Sequence, residues 1–279
     1  MEGRLTSKYV LTKTVKEREK MNKQGKDGIE YLDYTFNPIG GCKHVCKDSY
    51  CYAAKIAKRF GGNTEHEYHG LHILDRPMYK KTKAGKLMVD PYPYGFEPTF
   101  HKYRLNEPAE KKKPSIIGVV YMGDLFGEWV PDSWIQEVFK ACEAAPQHTY
   151  MFLTKNSGRY EKIINNGVIE VKDNYWFGTT VTTADGYAYA RGQGINTFAS
   201  IEPIMGEFKG TKEELLPDWV IIGVETGNRK DKVIPRKEWI ENIISGCKAA
   251  NVPVFVKSPL YQQFPIQEWP DDLRKEMAR

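Results

Sequence analysis

No stretch of this sequence approaches the roughly eighteen consecutive apolar residues of a membrane-spanning helix. Residues 1–21 are charged throughout and lack the apolar core of a secretory signal. No membrane association is expected, and a cytoplasmic setting is. Cysteine is scarce: there are five in 279 residues, three of them within ten positions. An odd count with one tight cluster argues against a secreted disulfide framework and, in a reducing compartment, points to metal binding. A large excess of one charge is also missing. Forty-one basic residues face 36 acidic ones, for a net charge of +5, which permits an anionic partner without demanding one. No internal repeat is visible beyond an alternation of strand-like and helix-like segments.

That alternation is what the chain does have. Seven strand-like runs occur at 31–38, 115–122, 149–154, 175–181, 195–203, 218–225 and 253–258. Several are continuous apolar runs, as expected of strands buried on both faces. Helix-like stretches separate them: 51–60, 131–145 with Pro131 at its start, 158–167 stopped by Gly167, 185–193 and 235–252. Strand–helix–strand units of this kind are right-handed and build a parallel sheet. The expected fold class is α/β, a partial (open) β/α barrel of six to seven parallel strands, with a doubly wound sheet as the alternative. The domain reading is a polar arm over 1–30, a barrel over 31–260 with a cysteine loop at 40–52 and a loop-rich insertion at 61–114, and a tail over 261–279. The insertion suggests a short helix or two, with His69 and His72 three apart on one helix face. Cys142 and Cys247 fall in helix-like stretches and read as core residues.

The cysteine loop, "GGCKHVCKDSYCYA", spaces its thiols C-x3-C-x4-C. Three thiolates on one loop can hold a corner of an iron–sulfur cube and leave the fourth iron without a protein donor. That iron can chelate the amino and carboxylate groups of S-adenosylmethionine. A structural zinc site, with His44 or His66 as fourth ligand, is the other option. The loop lies between the first strand and the first helix, hence at the mouth of a β/α barrel, where active sites sit. Polar residues also fall at strand C-termini. Lys155, Glu202, Glu225 and Lys257 are the catalytic candidates, and Thr154, Thr180 and Ser200 share the same positions. Lys155 and Lys257 suit a carboxylate or phosphate; Glu202 and Glu225 suit ribose hydroxyls or the substrate.

"FNPIGGCKHVCKDSYCYA" (36–53) resembles the entry motif of the radical S-adenosylmethionine superfamily, whose usual pattern is C-x3-C-x2-C with an aromatic before the last cysteine; Tyr50 matches that aromatic. "PTFHKYRL" (98–105), "MGDLFGEWVP" (122–131), "APQHTYMFLTK" (145–155), "WFGTTV" (176–181), "SIEPIMG" (200–206), "WVIIGVETG" (219–227) and "CKAANVPVFVK" (247–257) resemble one branch, the phage gene-product 37/68 family of unassigned activity. The resemblance spans about residues 31–260. One departure is the four-residue gap between Cys46 and Cys51, which either loops out or alters the cluster.

The resemblance implies a [4Fe–4S] cluster on Cys42, Cys46 and Cys51, reductive cleavage of S-adenosylmethionine to a 5′-deoxyadenosyl radical, and hydrogen abstraction from a substrate. Met122-Gly123-Asp124 is then placed to meet the amino group of S-adenosylmethionine, and Gly123, Asp124, Thr154, Ser200 and Glu202 form the expected cofactor-binding set. A turn glycine followed by a helix-capping aspartate is the structural alternative for Gly123-Asp124. The implied partners are an electron donor such as flavodoxin or ferredoxin and a nucleotide or nucleic-acid substrate. The lysine runs at 79–86 and 110–114, interleaved with Tyr92, Tyr94, Phe96, Phe100 and Tyr103, fit the last expectation. The alternative function is a non-catalytic, zinc-stapled nucleic-acid-binding module.

Overall fold

The computed structural model describes residues 21–25, 28–48, 50–61, 68–185, 194–208 and 216–273. In chain order the strands are β1 (Asn22–Lys23), β2 (Tyr34–Phe36), β3 (Ile39–Gly40), β4 (His72–Leu74), β5 (Tyr79–Lys81), β6 (Leu87–Val89), β7 (Thr99–His101), β8 (Ile116–Val119), β9 (Thr149–Thr154), β10 (Tyr175–Thr180), β11 (Asn196–Ile201), β12 (Trp219–Ile222) and β13 (Val254–Val256). The helices are α1 (Tyr52–Phe60), α2 (Glu107–Glu110), α3 (Asp132–Glu143), α4 (Gly158–Asn165) and α5 (Lys237–Ala249).

The main sheet has eight strands in the order β1-β2-β8-β9-β10-β11-β12-β13. All seven from β2 onward run parallel, and β1 adds antiparallel to the edge of β2. Each of the seven expected strands is present. Their order along the sheet follows the chain and never reverses, so a doubly wound sheet with its switch point is absent. Side chains alternate between faces, and the two faces have different partners. One carries Ile117, Tyr150, Phe152, Tyr175 and Phe177 against α3 and α4, and Val220, Ile222, Val254 and Val256 against α5. Phe139 of α3 stacks on Phe152 at 4.6 Å and 11°. Cys142 and Cys247 are buried in these helix contacts, as read from their surroundings.

The other face presents Met151, Trp176, Phe198, Trp219, Ile221 and Phe255 to one another and to Tyr31, Leu32 and Leu273. The sheet curls far enough for its two ends to meet there. Tyr31, just ahead of β2, packs edge-on against Trp219 at 5.9 Å and Phe255 at 6.2 Å. Glu30 accepts hydrogen bonds from the Ser258 N–H at 2.7 Å and the Gln267 amide at 3.2 Å. The ladder itself is not closed, since β1 and β13 remain its edges.

Four expectations change. The segment read as a C-terminal tail docks as far as it is described: Trp269 lies 5.0 Å from the Trp219 ring, Gln267 bridges to Phe255, and Leu273 is buried. The polar arm contributes buried Met21 and strand β1, while residues 1–20 lie outside the described residues, as does most of the helix read over 185–193. The insertion builds strands as well as helix: β4 and β7, which join β3 in a three-stranded sheet, and the hairpin β5-β6. His69 and His72 share no helix face, because His72 belongs to β4 and stacks on Tyr94 at 3.9 Å and 8°. No helix among the described residues is long and apolar enough to cross a membrane.

His101 of β7 lies under the start of the cysteine loop, with its Nδ1 3.1 Å from the Tyr103 hydroxyl. Burial, with a smaller push from Arg104, lowers its imidazole to about 3. The folded protein holds this ring neutral while the unfolded chain protonates it below about pH 6.5. Its contribution is therefore complete above that pH and is lost as the pH falls toward 3. Denaturant unfolding at pH 7.5 and pH 5 should show a loss of about 2 kcal/mol in the wild type that is missing from His101→Gln. Equal pH slopes for the two proteins would refute the assignment.

Candidate active site

The cysteine loop is fixed by backbone geometry before any side chain matters. Gly41 sits at φ +84°, where an added Cβ would fall 2.3 Å from the Glu97 carbonyl oxygen. Its N–H donates to Met122 O at 3.0 Å, and the Cys42 N–H donates to Phe96 O at 3.1 Å. Gly123 pairs with Gly41 in a parallel bridge, and a Cβ there would strike Gly41 O at 2.7 Å. The loop is thus clamped between the end of β8 and the insertion by two glycines that admit no larger residue.

The extra residues between Cys46 and Cys51 are taken up locally. Val45–Asp48 forms one 3₁₀ turn, and the Cys51 N–H donates back to Cys46 O at 3.2 Å. This returns the Cys46 thiol to hydrogen-bonding contact with the Cys51 sulfur. That bond is the main influence on both groups: it holds Cys46 in its thiol form and moves Cys51 toward the thiolate, which the N–H groups of Ala54 and Ala53 at the start of α1 also favour. Burial pushes the Cys42 thiol up to about 12, against a favourable contact from the His44 N–H to its sulfur at 3.4 Å. The Lys155 ammonium lowers the pKa of all three thiols.

Asp124 organises the mouth behind them. One carboxylate oxygen accepts from the Phe126 N–H at 3.0 Å and the Thr154 hydroxyl at 2.7 Å. The other accepts from the Lys155 N–H at 3.0 Å and faces His44 Nε2 at 2.8 Å. It is 3 % exposed. All four contacts come from within the protein, so the carboxylate ties together the turn after β8, the end of β9 and the cysteine loop; it caps no helix, since the next one, α3, starts at Asp132. Thr154 is similarly engaged, since its oxygen also accepts from the Asn156 N–H at 2.9 Å.

The three cysteines open onto a cavity of about 570 Å³. Gly123, Asp124, Thr154, Lys155, Thr180, Ser200, Glu202, Glu225 and Lys257 all line it, so the polar strand ends do converge. Glu202 and Lys257 are locked together, with Nζ 2.6 Å from both carboxylate oxygens. Glu225 pairs with Arg229 through 2.8 and 2.9 Å contacts, and with Lys55 at 3.7 Å. Arg229 holds the Glu225 carboxyl below its ordinary range. Tyr52 donates to the Tyr121 carbonyl and, with Tyr31 and Tyr121, supplies the aromatic floor. Sequence reasoning missed Lys55, Arg229 and the Tyr31 and Tyr121 rings. Only Lys55 left a trace, four residues after Cys51 and therefore on the same side of α1.

Three soft thiolate donors on one wall suit an iron–sulfur cluster in donor chemistry. Among the described residues, no three His, Cys, Asp or Glu side chains are gathered tightly enough to hold a single metal ion. His44 turns its Nε2 to Asp124, and His66 lies outside the described residues.

A family model described as a protein of unknown function, DUF5131, matches residues 26–264. The chain belongs to the DUF5131 family. No curated protein and no solved structure matches it. In this DUF5131 protein the matched region begins ahead of β2 and runs past β13, so it takes in the cysteine loop and every strand end that reaches the cavity.

Replacing Asp124 by Ala strands two backbone N–H groups, a hydroxyl and an imidazole in a buried place. Each such group costs on the order of 1–3 kcal/mol. Asp124→Ala should lower the unfolding free energy by about 3 kcal/mol or more in a denaturant titration, and Asp124→Asn should cost less. Near-wild-type stability for the alanine variant would contradict the anchoring role.

Proposed function

We propose that this DUF5131 protein is a radical S-adenosylmethionine enzyme, with a [4Fe–4S] cluster on Cys42, Cys46 and Cys51 at the mouth of an open β/α barrel. The observation that carries this reading is the meeting of three thiols from one loop with the polar ends of successive parallel strands at a single cavity. The unreversed strand order and the approach of Tyr31 to Trp219 and Phe255 support the barrel. The loop's resemblance to the superfamily's entry motif supports the chemistry.

Such a cluster, held by Cys42, Cys46 and Cys51, would supply one electron that splits S-adenosylmethionine into methionine and a 5′-deoxyadenosyl radical able to abstract hydrogen from a substrate. The chain's own residues have separate tasks. Lys155 offsets the negative charge of the thiolates. Gly123 lets the backbone after β8 lie against Gly41 and so holds the cysteine loop at the mouth, and Ser200 and Glu202 offer polar groups to a nucleoside's hydroxyls. The Glu202–Lys257 pair places an acceptor and a donor side by side on the cavity wall. Tyr31, Tyr121 and Phe96 narrow the volume open to water. A low-potential carrier such as a flavodoxin or ferredoxin, in the cytoplasm, completes the proposal. The zinc-stapled module has less support, because His44 gives its Nε2 to Asp124.

Protein purified without oxygen should be brown and carry about four irons and four sulfides per chain. With dithionite and S-adenosylmethionine it should release 5′-deoxyadenosine. Cys42→Ala, Cys46→Ala and Cys51→Ala should each bring both signals to background while far-ultraviolet circular dichroism stays unchanged. Colourless protein with stoichiometric zinc and no 5′-deoxyadenosine would sink the proposal.

A further inference from the structure

One surface of the protein is built from cations and half-exposed aromatic rings, and it is continuous with the cavity. It starts at Lys55, which lines the cavity and is 52 % exposed. It continues along α1, a helix of sequence YAAKIAKRF with no acidic residue, over exposed Lys58 and Arg59 to Phe60. Phe60 is 48 % exposed and has the Arg59 guanidinium 5.1 Å above its ring.

The hairpin β5-β6 carries the surface onward. Lys80 donates to the Phe60 carbonyl and pairs with Asp90 at 3.3 Å, which fixes the hairpin to the end of α1. Asp90 also accepts from the Tyr92 N–H at 3.1 Å, and Tyr92 lines the cavity. Register places Tyr79 and Lys81 on one hairpin face with Leu87, since Lys81 pairs with Leu87 and Tyr79 with Val89. Tyr79 is 53 % exposed, and Arg76, Lys81, Lys83 and Lys86 are exposed around it. None of those four cations, nor Lys58, makes an ion pair among the described residues.

A two-stranded hairpin with both faces open gains little from burial, so its sequence is not explained by packing. Nor do the two lysine runs behave alike. In the second run, Lys111 donates to the Tyr34 hydroxyl at 3.0 Å and Lys112 to the Ala109 carbonyl, ahead of β8 and so at the N-terminal end of the sheet, opposite the cavity mouth. Phe100, interleaved in the sequence, is fully buried and offers no face to a base.

We propose that the α1–hairpin surface grips a nucleic-acid strand, with Lys58, Arg59, Lys81 and Lys83 on phosphates and Phe60 and Tyr79 under bases, and that it leads a nucleotide of that strand to the cavity. Alternating cations and exposed aromatic rings are how single strands are held without sequence readout. The second half of the proposal, that the strand delivers the substrate, rests on the function proposed above. The grip itself does not.

Fluorescence anisotropy of the full-length protein with a labelled single-stranded DNA or RNA of about twenty nucleotides tests it. Binding should weaken steeply as salt rises from about 50 to about 200 mM. Lys58→Glu with Lys81→Glu should weaken it at least tenfold and lower the log–log salt slope by about 1.4, the share of two phosphate contacts on a single strand. Tyr79→Ala should weaken it several-fold with no change of slope, which separates stacking from charge. The titration uses no reductant and no S-adenosylmethionine, so absence of 5′-deoxyadenosine release leaves the grip standing, and absence of strand binding leaves the radical reading standing. Three results would overturn the grip: no binding at low salt, equal weakening by the reversals Lys112→Glu and Lys172→Glu at the opposite end of the sheet, or equal competition by an acidic polypeptide. Charge reversals that leave circular dichroism unchanged but release no bound strand would overturn it as well.

Discussion

One buried carboxylate sets the geometry on which the rest depends. Asp124 receives donors from its own turn, from the end of β9 and from the cysteine loop. Four polar groups from three segments of the chain meet on this one side chain at 2.7–3.0 Å. The consequence is positional. His44 lies between Cys42 and Cys46, so the same carboxylate, in the turn that follows β8, ties the cysteine loop to the backbone of Lys155. Packing around Trp129, whose ring meets His44 edge-on at 4.9 Å, holds the imidazole from the other side.

The insertion has an architectural task that its irregular composition concealed. β7 hydrogen-bonds β3 on one side and β4 on the other, and the Phe96 carbonyl takes the Cys42 N–H. Prolines and glycines there allow sharp turns between very short strands. The result is a second wall for the cysteine loop, opposite the end of β8. The loop gains little from its own hydrogen bonds and is shaped mainly by what encloses it.

The main sheet was legible because its strands are continuous apolar runs of strand length separated by amphipathic helices, and such runs have few alternative placements. The convergence of Lys155, Ser200, Glu202, Glu225 and Lys257 was legible for the same reason, since residues just past parallel strands share one end of a sheet. Partnering was not. Nothing in the chain announces that Glu202 meets Lys257 across 55 positions, or that Asp124 gathers Thr154 and His44. His72 was misplaced because a three-residue spacing suits a helix turn, while three-residue strands such as β4 leave almost no periodic signal. Residues 261–273 looked like a tail because they lack a regular pattern. They dock through two tryptophan rings and one short bridge, which are tertiary contacts.

The seam at Glu30 has a bearing on how the chain assembles. Its carboxylate and the Ser258 N–H are 228 residues apart, so closing that contact by itself would carry a large entropy cost. The cost falls only as each intervening unit stacks on the one before it. In that order of assembly the seam is a late event, because its closing entropy is offset only after the strands between are in place. It also means that the two halves of the chain are not separable modules: the ring around Tyr31 takes its final shape when the last strand arrives.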